Sequence, residues 1–252
     1  MVEVRIERPA EADEPGQGDA AATGSGGGDD GPGRQESPGF EQSVRVERVL
    51  EHRATVDAAY RRHAIDQGCA RVERIEREIV TPAMRRVEAE DPDLTLIGLD
   101  HRLKGKDRLT EKVEFDMRKW GVTAEQAFTN VKDSIRYTYE YPEDKYVRGV
   151  RADVDRIKAE GFELVEFRNS WNNEEYKGMN SRWRLAENSQ LFEVQFHTHA
   201  SFEAKQETHA AYERLRTLPE DHEDVHELRT FQREVTAKIP VPPGASDIAD
   251  YP

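Results

Sequence analysis

The sequence predicts an α+β fold: a mixed five-stranded sheet flanked by helices, with helical extensions at its N- and C-terminal ends. Three observations carry this expectation. Strand-like and helix-like stretches follow one another in the order β-α-α-β-α-β-β-β-α. Two of the last strands sit at hairpin spacing around Glu187-Asn188-Ser189. No internal repeat is visible, and the length suits one sizeable domain with extensions.

The elements follow in chain order. Residues 1–40 read as a disordered acidic leader. Its stretch 9–40 is rich in Gly, Pro, Ala, Asp and Glu and too poor in apolar surface to offset its ordering entropy. Residues 41–92 read as a helical extension. Val49, Val56, Ala59 and Tyr60 form one apolar stripe, and Val72, Ile75, Ile79 and Val80 another. Gly68 is expected to break or bend this run, Pro82 to kink it or start a new turn, and Asp91-Pro92 to stop it.

Residues 93–218 hold the predicted sheet domain. Leu94–Leu99 reads as a short strand, and Asp107–Trp120 as a helix with Gly121 as its C-cap. Thr123-Ala-Glu-Gln126 is a capping box opening a short helix. Ile135–Tyr141 alternates as a strand ending at Pro142. Asp144–Glu160 is an amphipathic helix with Val147, Val150, Val154 and Ile157 on one side. Phe162–Phe167 reads as a strand and Asn169–Asn173 as a turn. Met179–Leu185 and Leu191–His197 are the hairpin strands, and Thr198 or Ser201 caps a helix over Phe202–Arg216. Residues 219–252 give an acidic helix, Asp221–Lys238, and an irregular tail.

Composition narrows the chemistry. The single cysteine, Cys69, excludes an internal disulfide and a cysteine-rich metal site, and fits a reducing compartment. No apolar run is long enough to span a membrane, and no signal peptide is expected at Met1. The net charge is −14, but it sits at the ends: residues 1–40 carry three basic and nine acidic side chains, and 219–252 three and eight. The middle is nearly balanced, so the acidic total does not exclude a phosphate-binding pocket there.

Four stretches carry candidate chemistry. In Leu191–Thr198, Glu193, Gln195 and His197 share one strand face, with Leu191 expected on the other and Val194 out of phase. An acid, an amide and an imidazole in one row suit a pocket that handles charge and protons. Arg102, Lys104, Lys106, Arg108 and Lys112 gather where a strand hands over to a helix, a place that favours anions. Asp133 and Arg136 flank a strand start, where a carboxylate could hold Mg²⁺ and an Arg could neutralise phosphate. Tyr176, Gly178, Asn180, Ser181 and Trp183 offer close approach, hydrogen bonds and stacking surfaces. Each stretch alone also fits a solvated turn or an ordinary strand.

In this order, over roughly residues 94–216, the four stretches resemble the (p)ppGpp synthetase domain of the RelA/SpoT family, whose members move pyrophosphate from ATP to the 3′-hydroxyl of a nucleotide. The family's R-x-K-x-x-x-S-hydrophobic-x-x-K looks like Arg102, Lys104, Leu109 and Lys112, with Arg108 at the serine position. Its Asp, five residues before a strand Arg, falls on Val131; Arg136 fits the Arg, and Asp133 stands three before it. Its G-Y-Q-S-L-H looks like Gly178-Met179-Asn180-Ser181-Arg182-Trp183, and its E-h-Q-h-R-T like Glu193-Val194-Gln195-Phe196-His197-Thr198. The family's base-stacking tyrosine is here Met179.

The resemblance implies a nucleotidyltransferase-like synthetase domain at 93–218 and an ATP-dependent 3′-pyrophosphokinase. Glu193, Gln195 and Asp133 would be catalytic, with Glu193 and Asp133 on Mg²⁺. Arg102, Lys104, Arg108, Lys112, Arg136 and His197 would bind the ATP phosphates. Tyr176, Asn180, Ser181 and Trp183 would border the acceptor, either GDP/GTP or an adenosine nucleotide. A divergent synthetase with an acidic leader and no hydrolase domain is similar to toxic small alarmone synthetases and to toxin domains of secreted or phage-linked proteins. That similarity implies action in the cytoplasm, no membrane partner, and a neutralising antitoxin or immunity protein. Two alternatives stay open: pyrophosphorylation of the tRNA 3′ end, and a non-catalytic nucleotide-binding or interaction module.

Overall fold

A computed structural model describes residues 38–187 and 189–250. Of the leader expected at 1–40, residues 1–37 lie outside the described part. The chain divides into two compact units, Met1–Leu50 and Glu51–Pro252, and the sheet belongs to the second.

Helix α1 spans Pro38–Ile75. Its first predicted stripe stays exposed, while Val72 and Ile75 of the second are buried. Gly68 does not break the helix. It is buried, and a Cβ there would stand 2.1 Å from Phe128 Cε2, so its hydrogen makes room for the Phe128 ring. The irregularity comes later. Glu76–Val80 is a π-helical turn, followed by α2 (Thr81–Glu90) with Pro82 in its first turn. Proline lacks an N–H and its ring crowds the preceding turn, so the ladder widens just ahead of it.

The sheet follows: β1 (Thr95–Ile97), α3 (Lys106–Trp120), α4 (Ala124–Asn130), β2 (Arg136–Tyr141), α5 (Tyr146–Ala159), β3 (Phe162–Asn169), β4 (Met179–Leu185), β5 (Leu191–Thr198), α6 (His199–Leu215) and α7 (Asp224–Thr236). It has five strands in the order β1-β2-β5-β4-β3. β2 and β5 run parallel and the other neighbours antiparallel, so the sheet is mixed as the segment order predicts. Thr123 and Gln126 form the expected capping box at α4, and Gly121 (φ 64°) ends α3. Thr198 caps α6 through Ser201, which starts that helix three residues before the predicted Phe202.

One sheet face meets α2 and α5. It carries Tyr137, Tyr139 and Tyr141 of β2, Met179, Ser181, Trp183 and Leu185 of β4, and Phe192, Val194 and Phe196 of β5, all buried. The three β2 tyrosines bury large rings and need partners for their hydroxyls. Tyr139 donates to Met84 O at 3.1 Å, Tyr141 to Asp153 Oδ2 at 2.7 Å, and Tyr137 to Glu76 Oε1 at 3.2 Å. The other face is polar, and α6 crosses one end of it. After α7 the chain, expected to be irregular, carries a short 3-10 turn at Ala245–Asp247, and it docks: Asn169 Nδ2 donates to Ala245 O at 2.7 Å and to Ile248 O at 2.8 Å, and Ile239 and Ala245 are buried. No described helix is long and apolar enough to cross a membrane.

Candidate functional site

The strand registers assemble the polar face. Across the parallel pair, Arg136 stands opposite Glu193, Thr138 opposite Gln195, and Glu140 opposite His197. Across the antiparallel pair, Arg182 faces Glu193 and Asn180 faces Gln195. Partners in register share a face, so these residues line one surface. Glu193, Gln195 and His197 form one row, as predicted. The rest of the β5 expectation is corrected: Val194 is in phase with Phe192 and Phe196 in the core, and Leu191 lies on the polar side.

The basic turn is stitched to the start of β2. Arg136 N donates to Arg102 O at 2.8 Å, and Lys104 N to Ser134 O at 3.0 Å. This backbone pairing brings Lys104 beside Arg136, while the Arg102 guanidinium turns to Glu76 and donates from Nη1 to Leu99 O at 2.7 Å. Side chains then link into a chain of contacts. Lys104 Nζ lies 2.6 Å from Asp133 Oδ2, which lies 3.3 Å from an Arg136 terminal nitrogen. Arg136 Nε is 3.3 Å from Glu193 Oε2, and Gln195 Nε2 is 2.6 Å from Glu193 Oε1. Lys205 Nζ of α6 closes the chain 2.5 Å from Gln195 Oε1. Asp133 thus reaches Arg136 from the turn before β2, while Val131, at the family's Asp position, is buried in the core.

Electrostatics follow from this packing. Burial works to raise the Asp133 pKa, but the Lys104 hydrogen bond and charge, with Arg136, hold it below the usual carboxylate value. Burial likewise opposes the Arg136 charge, yet Glu193 and Asp133 outweigh it and raise its pKa. Lys205 is the opposite case: burial and the nearby Arg136 pull it down to about 8, against the pull of Glu193. Tyr176 is pushed up, first by burial and then by the Glu193 charge.

Three expectations fail on geometry. His197 is fully buried, and burial followed by the Lys205 charge drives its pKa well below the ordinary imidazole value. Its ring sits between Tyr176 OH (3.0 Å from Nε2) and Ser201 Oγ (2.9 Å from Nδ1), so it is a neutral structural link and not a phosphate-binding cation. Ser181 and Trp183 do not border the acceptor. Both are fully buried on the core face, where Trp183 Nε1 donates to Ser181 Oγ at 2.7 Å and Ser181 Oγ donates to Val194 O at 2.9 Å. Residues 180 and 181 point to opposite faces of a strand, so only Asn180 reaches the polar side. There it accepts from Tyr176 OH at 3.0 Å. Gly178 has φ 148°, and a Cβ on it would stand 2.7 Å from His197 Cε1, so this glycine lets the buried imidazole in.

Arg108 and Lys112 stand apart from this linked set. Both are exposed on α3, where Lys112 pairs with Asp116 at 2.7 Å.

Sequence reasoning missed three residues. Glu76, buried in the π-helical turn, takes Arg102 Nε at 2.7 Å together with the hydroxyls of Tyr137 and Thr81. Its signal was a carboxylate set four residues from both Val72 and Val80. Lys205 lies on the inner row of α6 among Ser201, Ala204 and Thr208, a lysine in a row of small residues. Arg182 faces Glu193 across the sheet and pairs with Glu166, itself bound by Arg168.

Several solved structures are similar to this chain. One is a GTP pyrophosphokinase family protein from Streptococcus pneumoniae: 14% identity, 75% of this chain and 89% of that chain covered, TM-score 0.42. Another is the small alarmone synthetase 1 from Bacillus subtilis bound to its product pppGpp: 13% identity, 71% and 87% covered, TM-score 0.43. A third is the small alarmone synthetase 2 from Bacillus subtilis: 12% identity, 66% and 88% covered, TM-score 0.45. No protein-family model matches the chain, and no curated protein matches it.

Proposed function

We propose that the polar face transfers pyrophosphate from ATP to the 3′-hydroxyl of a nucleotide. The observation that carries this reading is the Arg136–Glu193 pair. It sets a guanidinium suited to a polyphosphate against a carboxylate able to take a hydroxyl proton. The order of the four motifs along the chain supports the same reading. Arg102, Lys104 and Arg136 would neutralise the ATP phosphates. Glu193 would orient the acceptor hydroxyl and accept its proton. The 3′-oxygen bonds to the β-phosphorus, the bond from that phosphorus to the oxygen it shares with the α-phosphorus breaks, and AMP leaves with that oxygen. Tyr176 and Asn180 would border the acceptor. Positioning and charge neutralisation would supply most of the acceleration, because a phosphoryl-type transfer leaves the protein little covalent chemistry.

Mg²⁺ would compete here with Lys104 and Arg136, which hold the two candidate carboxylates in this structure. Asp133 and Glu193 are hard oxygen donors on one surface, and Mg²⁺ bound with substrate phosphates takes only one or two protein carboxylates. These two residues would hold it, and when bound it would add positive charge at the phosphates.

We further infer a toxin-type member acting in the cytoplasm and restrained by an antitoxin or immunity protein; the sequence resemblance alone supports this. A tRNA acceptor is the second reading. It is favoured by an exposed row on α3 in which Lys119 Nζ lies 5.3 Å from the Phe115 ring centre and 4.8 Å from that of Trp120, an arrangement that offers stacking beside phosphate contacts.

The test is incubation of the full chain with ATP labelled in its β and γ phosphates, Mg²⁺, and separately GDP, GTP, ADP and bulk tRNA. Label on a nucleotide supports the first reading and names the base. Label on tRNA alone selects the second. ATP binding without transfer would leave a nucleotide-binding module.

A further inference from the structure

Where the resembled motif has arginine, β5 carries the buried, neutral His197, so the strand itself brings no cation to Gln195. One arrives from α6. Lys205 Nζ lies 2.5 Å from Gln195 Oε1, while Nε2 of the same amide lies 2.6 Å from Glu193 Oε1. An ammonium donates and never accepts, so it can bond only the oxygen end of the amide. A carboxylate accepts and never donates, so it can bond only the nitrogen end. The flipped amide would set NH₂ against the ammonium and a carbonyl oxygen against Glu193.

We propose that Lys205 is a positioning residue of this face: it fixes the orientation of the Gln195 amide, and through it the placement of Glu193. The inference deepens the proposed transfer activity and rests on it for its kinetic consequence. The amide orientation itself stands apart from any reaction. Around Lys205, β5 presents Glu193 and His197, β2 presents Arg136, and the loop before β4 presents Glu175, Tyr176 and Lys177. Thr236 of α7 and the following Ile239 add no charge. Burial and Arg136 bring the ammonium down to about 8, so the orienting proton is shed on the alkaline side of neutrality.

The experiment compares the full-length wild type with Lys205→Met and Lys205→Arg. The Gln195 side-chain amide is followed by ¹⁵N NMR, assigned by its absence in Gln195→Ala. Transfer kinetics are measured from about pH 6.5 to about pH 9.5, bracketing the lysine. The expected wild-type result is an exchange-protected Gln195 amide and a loss of kcat above about pH 8. Lys205→Met loses the protection and about tenfold in kcat, with KM for ATP nearly unchanged, the size of one charge-assisted hydrogen bond acting at the reaction step. Lys205→Arg restores the signal relative to Lys205→Met and lacks the alkaline loss, since a guanidinium keeps its proton. A protected amide in Lys205→Met overturns the proposal. So does an alkaline limb in Lys205→Arg matching the wild type, and this arm decides if Lys205→Met fails to fold. If the wild type transfers nothing, the functional reading falls, while the amide signal still judges Lys205.

Discussion

Arg136 and Glu193 are partners in register across the parallel β2–β5 pair, and their side chains meet at 3.3 Å. Two residues 57 positions apart in sequence are thereby held as one unit, because the ladder fixes both backbones. Glu193→Gln keeps the shape and one acceptor for Arg136, loses the acceptor that faces Gln195 Nε2, and removes the proton acceptor. The expected outcome is a loss of transfer of about a hundredfold or more, the usual worth of a positioned general base. Circular dichroism and melting temperature should stay near the wild-type values. A folded Glu193→Gln protein with full activity sinks the assignment.

Glu76 is expected to act on ATP through Arg102. It is buried at the π-helical turn and takes the Arg102 Nε at 2.7 Å. Glu76→Gln keeps an acceptor but loses the charge that holds the guanidinium. KM for ATP should rise by roughly threefold to tenfold with kcat little changed, the mark of lost uniform binding. Glu76→Ala should cost stability as well, about 1–2 kcal/mol, because it removes the acceptor shared by the buried Tyr137 hydroxyl and the half-exposed Arg102 guanidinium. Steady-state kinetics and denaturant unfolding read the two effects separately.

The sequence made the sheet legible because alternation, capping boxes and turn glycines are local signals. It made the Glu193–Gln195–His197 row legible for the same reason. What it hid is the phase of one strand against another. Asn180 and Ser181 look alike as polar neighbours, but the pleat sends Ser181 into the core beside Trp183. His197 looked like a stand-in for a cation until its burial and its two hydrogen bonds were known. Glu76 and Lys205 meet partners 26 and 10 residues away, across packed helices that periodicity alone does not dock. Pro82 was visible, but not that the distortion would fall on the turn before it.

His197 should impose an acid limb on stability. Its folded pKa lies well below that of an unfolded histidine, about 6.5. Above that value both states are neutral and the group contributes no pH dependence. Below it the unfolded chain binds a proton that the folded chain refuses. Stability then falls as pH drops, by about 1.4 kcal/mol per pH unit until the folded pKa is reached. His197→Gln keeps a hydrogen-bonding side chain without the titration. The stability difference between wild type and His197→Gln should therefore shrink by about 1 kcal/mol from about pH 7 to about pH 5.5. Urea unfolding at the two pH values measures it, and a difference that does not move would mean that His197 takes up its proton in the fold as readily as in the unfolded chain.

Gly178→Ala tests how that imidazole is housed. The backbone there has φ 148°, and the added methyl would stand 2.7 Å from His197 Cε1 and 3.2 Å from Phe196 O. The ring must shift, and its contacts with Tyr176 and Ser201 go with it. The expected cost is roughly 1–3 kcal/mol, from backbone strain and the displaced ring together. The two contributions separate in a double-mutant cycle with His197→Ala. Removing the ring relieves the clash, so the double variant should lose less stability than the two single variants combined. Strictly additive losses would mean that the strained backbone alone sets the cost, and that the glycine serves the turn rather than the histidine.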